Sequence, residues 1–250
     1  RIHGMGILYQ RRYDVQGDAH EYDIKLGYCS SHTMAISAVR EKATVLDLAC
    51  GDGYVAAELV KKNCRVTGVD VHEPGNQVFE RFVRHDLDSA ELPAGLGEYD
   101  YILGLDCLEH LKSPEKFLHK LRDKCFAEKT KVILTVPNTT FASIRLGVIF
   151  GQFNYGRQGI LDLTHMRLFT FGTFRRMLEQ EGYSVLKIRG IPAPFPKAMG
   201  LNAASRMLVG LNRMLIFFWK RMFAYQVYVE ATMKPPLGHL LKQTLETEKV

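Results

Sequence analysis

Two groups of residues in this sequence have types and spacings suited to chemistry. The first is Asp47-Leu48-Ala49-Cys50-Gly51-Asp52-Gly53, followed by Asp70 at the end of Val66-Thr67-Gly68-Val69. Glycine lets a backbone turn sharply and approach a ligand. An acid ending the next strand of a doubly wound sheet can accept hydrogen bonds from both hydroxyls of a ribose. Together these residues describe a nucleotide-cofactor site. The second group is His110, in Leu108-Glu109-His110-Leu111, and His165, in Asp162-Leu163-Thr164-His165-Met166-Arg167. An imidazole titrates near neutrality and can take the proton of a hydroxyl nucleophile. His165 is the expected general base, with His110 assisting it.

The elements that must position these groups alternate in type. Val45-Leu46 before Asp47 suits a buried parallel strand, and Tyr54 to Val60 the helix after the turn. Phe82 to Leu87 reads as a third strand ending at Asp86, Glu98 to Asp106 as a fourth, and Lys131 to Asn138 as a fifth. His110 then follows strand four and His165 follows strand five. Loops at the carboxyl ends of strands are the ones that carry function in such sheets. An amphipathic helix, Thr173 to Glu181, is closed by Gly182. Gly182 to Gly190 and Tyr225 to Thr232 read as strands six and seven.

The glycine spacing is not the dinucleotide fingerprint, because position 56 is Ala where a third glycine would stand. The run instead resembles motif I of class I S-adenosylmethionine-dependent methyltransferases, D/E-x-G-x-G-x-G, with Ala49 in place of the first glycine. The resemblance covers about residues 28 to 191. It implies an α/β fold, a doubly wound and mostly parallel seven-stranded sheet with an antiparallel last strand. Strands six and seven usually form a hairpin in this fold, but here roughly thirty residues separate them and read as a helical insertion. It also implies S-adenosyl-L-methionine as cofactor: Asp47, Ala49, Gly51 and Gly53 shaping the turn, Asp70 on the ribose, Asp86 and Leu87 flanking the adenine, and Asp106 at the end of strand four.

Asp106, Glu109, His110 and His165 also resemble the acid, Glu-His and later His of metal-dependent methyltransferases, where a divalent ion lowers the pKa of the acceptor hydroxyl. Glu-His-Leu after strand four occurs in metal-free methyltransferases too, and no metal is assigned. Base methylation of nucleic acids is disfavoured. Leu105-Asp106-Cys107-Leu108 lacks the Asn/Asp-Pro-Pro-aromatic motif, and no Pro-Cys pair is present. The segments Leu161 to Thr170, Arg189 to Pro196 and Phe223 to Gln226 resemble bacterial methyltransferases found beside or fused to glycosyltransferases. That likeness implies a small-molecule, sugar or lipid-linked acceptor. O-methylation is the expected reaction, with N- or carboxyl-methylation and a non-catalytic cofactor-binding module as alternatives.

At 250 residues and 46% hydrophobic content, one α/β domain with additions is expected. The division reads as a flap over residues 1–27 carrying Tyr9, Tyr13 and Tyr22, a core over 28–191, a helical insertion over 192–222, and a last strand with a polar tail over 223–250. The insertion opens with Pro192, Pro194 and Pro196 and continues as an apolar helix interrupted by Arg206, Arg213, Lys220 and Arg221. Those charges exclude a membrane span. They leave a lid, a homodimer contact or a helix lying on a membrane surface. Five cysteines form no C-x-x-C pair and argue against a disulfide framework, and no signal-peptide pattern opens the chain. The expected setting is cytoplasmic, with peripheral membrane contact open. A net charge of +6 does not by itself establish nucleic-acid binding.

Overall fold

The computed structural model describes residues 26–247 apart from 76 and 94. The expected flap, apart from residues 26 and 27, lies outside the described residues, its three tyrosines included. Seven strands form one sheet in the order β3-β2-β1-β4-β5-β7-β6: β1 Thr44–Leu48, β2 Arg65–Asp70, β3 Arg81–Arg84, β4 Tyr101–Leu105, β5 Lys131–Pro137, β6 Tyr183–Ile191 and β7 Gln226–Met233. The first five strands are mutually parallel, and β7 runs antiparallel to both β5 and β6. This is the mostly parallel seven-stranded sheet with an antiparallel last strand that the resemblance implied.

Helices cover both faces, so the central strands are buried on both sides and read as continuous apolar runs. On one face α1 (Ser31–Ala38) and α2 (Tyr54–Lys61) place Ala35, Val39, Val55 and Leu59 against Val45, Val66, Leu103 and Ile133. On the other, α3 (Pro114–Cys125) and α5 (Phe171–Gln180) place Phe117, Leu118, Phe174 and Leu178 against Leu46, Ile102 and Leu134. Between them in sequence lies α4 (Ala142–Ile149). A capping box between Thr170 and Thr173 fixes the start of α5. Strand order reverses between β1 and β4, and the carboxyl ends of those strands open the crevice that such folds use for ligands.

Several boundaries differ from the sequence reading. β3 ends at Arg84, so Asp86 lies in the turn that follows, where its carboxylate accepts from the Asp88 amide at 2.9 Å. β4 begins at Tyr101, because the Asp100 carboxylate is engaged outside the strand, accepting from the Thr44 amide at 2.9 Å and from Arg40. The insertion forms α6 (Phe195–Met199) and α7 (Ala203–Phe223), the latter kinked at Trp219. Gly190 lets α7 lie close on β6, since a Cβ there would stand 2.6 Å from the Ala224 Cβ. Within the segment expected to end in a polar tail, residues 237–247 form α8 (Leu237–Thr247), which starts behind Pro235-Pro236 and carries Leu at helical spacing, and residues 248–250 lie outside the described residues. Among the described residues, no helix is long and apolar enough to cross a membrane.

Candidate active site

The glycine turn leaves β1 in a conformation that most side chains avoid. Ala49, Gly51 and Gly53 all have positive φ, at 53°, 51° and 79°. Ala49 adopts this angle without the freedom of the glycine that the family pattern has there, a strain worth about 1–3 kcal/mol that the surrounding contacts must hold. Asp70 supplies one such contact. Its Oδ2 accepts from the Gly51 amide at 2.9 Å and its Oδ1 from the His72 amide at 3.0 Å. Each carboxylate oxygen keeps a further lone pair for a ligand hydroxyl.

Two features show that the turn fits a cationic nucleotide cofactor. A Cβ on Gly51 would meet nothing within 4 Å, so the backbone there borders open space. Beneath the turn, Asp47 is 3% exposed and its Oδ2 has no hydrogen-bond partner. Burial, followed by the charge of Asp70, pushes the Asp47 carboxyl up to about 7. A positive charge nearby would relieve that cost. Phe79, which the sequence reading did not single out, closes the far side. Its ring would lie 2.9 Å from a Cβ on Gly53 and 2.6 Å from one on Gly68. Leu87 is buried one residue beyond the exposed Asp86, at the β3 side of the crevice. Burial raises the thiols of Cys50 and Cys107, which are poor nucleophiles in that state.

Across the crevice, Asp106 directly follows β4 with φ at 54°, like Ala49 a non-glycine residue in a left-handed conformation. Three side chains hold it there. Its Oδ1 accepts from Thr135 Oγ1 at 2.6 Å and Gln226 Nε2 at 2.8 Å, and its Oδ2 from Ser31 Oγ at 3.2 Å. The partners come from β5, β7 and α1, separated from Asp106 by 29, 120 and 75 positions, and no local pattern signals them.

A single-turn 3₁₀ helix, Leu108–His110, follows Asp106. The Glu109 carbonyl accepts from the Met166 and Arg167 amides at 2.8 and 3.0 Å, which draws the loop after α4 back over this turn. Arg167 also forms a two-pronged pair with Glu115 of α3. As a result the two histidine rings meet edge to face with centroids 4.8 Å apart. His165 Nδ1 faces the Ile160 carbonyl at 2.9 Å, and His110 Nδ1 faces the Thr164 carbonyl at 3.3 Å. A carbonyl requires a donor, so the neutral form of each ring carries its proton on Nδ1 and its lone pair on Nε2, with the Thr164 hydroxyl a further neighbour of His110 Nδ1 at 3.1 Å. Burial, reinforced by His165, lowers the His110 pKa.

One ligand atom from each of Glu109, His110 and His165 lies within 4.8 Å of the others. Of the four residues suggested by the metal-dependent resemblance, these three come together, whereas Asp106 is held by Thr135, Gln226 and Ser31. The donor set of two imidazoles and one carboxylate fits a first-row divalent ion.

The methyltransferase-domain family profile matches residues 21–188, which include the turn, Asp70 and both histidines. This chain belongs to the methyltransferase-domain family. Its fold is that of the class I S-adenosylmethionine-dependent enzymes. The mitochondrial ubiquinone biosynthesis O-methyltransferase of Schizosaccharomyces pombe is 21% identical over 59% of this chain and 57% of its own length. The Hydrogenovibrio crunogenus protein of the same name is 33% identical over 32% of this chain and 36% of its own length. This family member spans about half the length of the curated relatives it matches. Among solved structures, a Burkholderia thailandensis 1,6-didemethyltoxoflavin-N1-methyltransferase with bound S-adenosylhomocysteine superposes with a TM-score of 0.52. It is 16% identical, over 82% of this chain and 77% of that one, a likeness of fold.

Proposed function

We propose that this methyltransferase-domain chain transfers the methyl group of S-adenosyl-L-methionine to a hydroxyl oxygen of a small-molecule acceptor. The observation that carries the reading is the edge-to-face pair of imidazoles, His110 and His165, across from a glycine turn braced by Asp70. When bound, the cofactor supplies a methyl group on a positively charged sulfur. Asp47, Ala49, Gly51 and Gly53 would shape its seat, Asp70 would hold the ribose, Asp86 and Leu87 would flank the adenine, and Asp106 would border the seat from β4. His165 takes the acceptor's proton on Nε2, and His110, whose neutral form burial favours, assists by packing edge to face against the His165 ring. In-line placement of that oxygen supplies much of the acceleration.

The names of the curated relatives support oxygen as the accepting atom. The likeness to glycosyltransferase-associated enzymes supports a sugar or lipid-linked sugar as acceptor, in a cytoplasmic setting. Labelled S-adenosylmethionine offered with sugar and lipid-linked acceptors tests this. Label recovered in a methyl ether is the expected product, and label on nitrogen or carboxylate would overturn the oxygen assignment.

A second reading is favoured by the clustering of Glu109, His110 and His165. These three would hold a divalent ion that lowers the pKa of the acceptor hydroxyl. Activity lost on chelation and restored by Mg²⁺, Mn²⁺ or Zn²⁺ is the result this reading expects, and full activity in chelator would remove it.

A further inference from the structure

We propose that the outer face formed by α4 and α7 docks on an anionic phospholipid bilayer. No residue of α4 is buried, yet Ile149 and the adjoining Phe150 are 74% and 77% exposed. On α7, Met207, Leu211, Met214 and Phe218 recur at spacings of four, three and four and all face outward, while Val209 and Asn212 face the fold. Phe217 and Phe218 are 85% and 75% exposed. The two helices meet: Arg145 of α4 lies over the Trp219 ring, and the Thr140 hydroxyl donates to the Arg221 carbonyl at 2.8 Å. Each helix carries large exposed apolar side chains, and exposed apolar patches of this kind mark interaction sites.

Charge decides the occupant. Residues 139–161 and 192–225, which contain these helices, hold seven Lys or Arg and no Asp or Glu. Of 33 basic residues in the chain, 26 therefore remain elsewhere against 27 acidic ones, so the excess positive charge of the whole chain sits on these two segments. Apolar residues flanked by Arg206, Arg213 and Arg221, with a Trp at one end, have the composition of a helix lying in the plane of an anionic interface. A second copy of this chain would instead oppose positive charge to positive charge.

The same face adjoins the site. Asn138, just beyond β5, donates from Nδ2 to the Ala224 and Arg221 carbonyls at the end of α7, and the chain from α4 leads into the His165 loop. Docking would place the acceptor side of the crevice at the lipid surface, and it stands whether or not the proposed reaction is correct.

The test is co-sedimentation, without cofactor or acceptor, using phosphatidylcholine vesicles with and without phosphatidylglycerol. Expected are binding to the anionic vesicles at least tenfold stronger than to neutral ones, its decline with salt, and a loss of at least tenfold in the Phe217→Glu/Phe218→Glu variant with an unchanged circular dichroism spectrum. An Arg206→Gln/Arg213→Gln variant should lose several-fold on anionic vesicles alone. Equal binding to both vesicle types, binding unaffected by the Phe substitutions, or a dimer in light scattering that those substitutions dissolve would overturn the proposal.

Discussion

The two walls of the crevice are built by different means. On the cofactor wall, a positive-φ turn is braced by an acid nineteen positions away, and Gly51 and Asp70 carry the contact through backbone amide and carboxylate. On the acceptor wall, His110 and His165 stand 55 positions apart and meet because the Glu109 carbonyl captures two amides of a distant loop. The first wall is a property of local spacing, the second of long-range closure. Substitutions should separate them, with the cofactor wall governing affinity and the acceptor wall governing rate.

The largest effect is expected at His165. Replacing it by Ala should lower turnover by about 10²–10⁴-fold, as for loss of a general base, and leave cofactor affinity unchanged in calorimetry. A fall smaller than tenfold would return His165 to a structural role. Asp70→Ala should act in the opposite way, weakening cofactor binding by about 1.5–3 kcal/mol through lost charge-assisted hydrogen bonds. Unchanged affinity would show that the ribose lies elsewhere.

The acidic residue beneath the turn makes a stability test. Asp47 has its pKa raised from 3.8 to about 7 in the fold, so the native state binds more protons than the unfolded chain between those values. Stability of the ligand-free protein should therefore fall as pH rises from about 4 through about 7. Asp47→Asn should be the more stable protein at pH 8, by about 1–2 kcal/mol, with the advantage shrinking at pH 5. Denaturant midpoints that move in parallel for both proteins would contradict the buried-carboxylate account. The smallest effect is expected at Gln226. Gln226→Ala removes one of three side chains holding Asp106 and should weaken cofactor binding by about 1 kcal/mol in a fluorescence titration. On the acceptor wall, the lowered pKa of His110 places loss of its neutral form, as pH falls, below 6.5. An acid limb of the rate profile at or above 6.5 would show that another group controls it.

The same contrast explains what the sequence revealed. The strands themselves were readable from apolar runs, glycines and acids a few residues apart, and the helical insertion from the apolar run after Pro196. The doubly wound sheet with its antiparallel last strand was implied by the resemblance those residues carry. Phe79 was not, because an aromatic in an irregular connection has no distinguishing pattern. Thr135, Gln226 and Ser31 were invisible as partners of Asp106 because their contacts join β5, β7 and α1 only after the sheet has formed. Ala49 could be seen as a departure from the glycine pattern, but not that it keeps the glycine's backbone angle. The charge looked dispersed along the chain, and only the contact of α4 with α7 brought the two basic segments together.

The most direct test of the division between the walls is single-turnover transfer from methyl-labelled S-adenosylmethionine to a hydroxyl acceptor, with cofactor saturating. The account predicts that Asp70→Ala, once saturated, transfers label at close to the unmodified rate, whereas His165→Ala binds the cofactor fully and transfers at least a hundredfold more slowly. Equal transfer rates in the His165→Ala and unmodified proteins would contradict it.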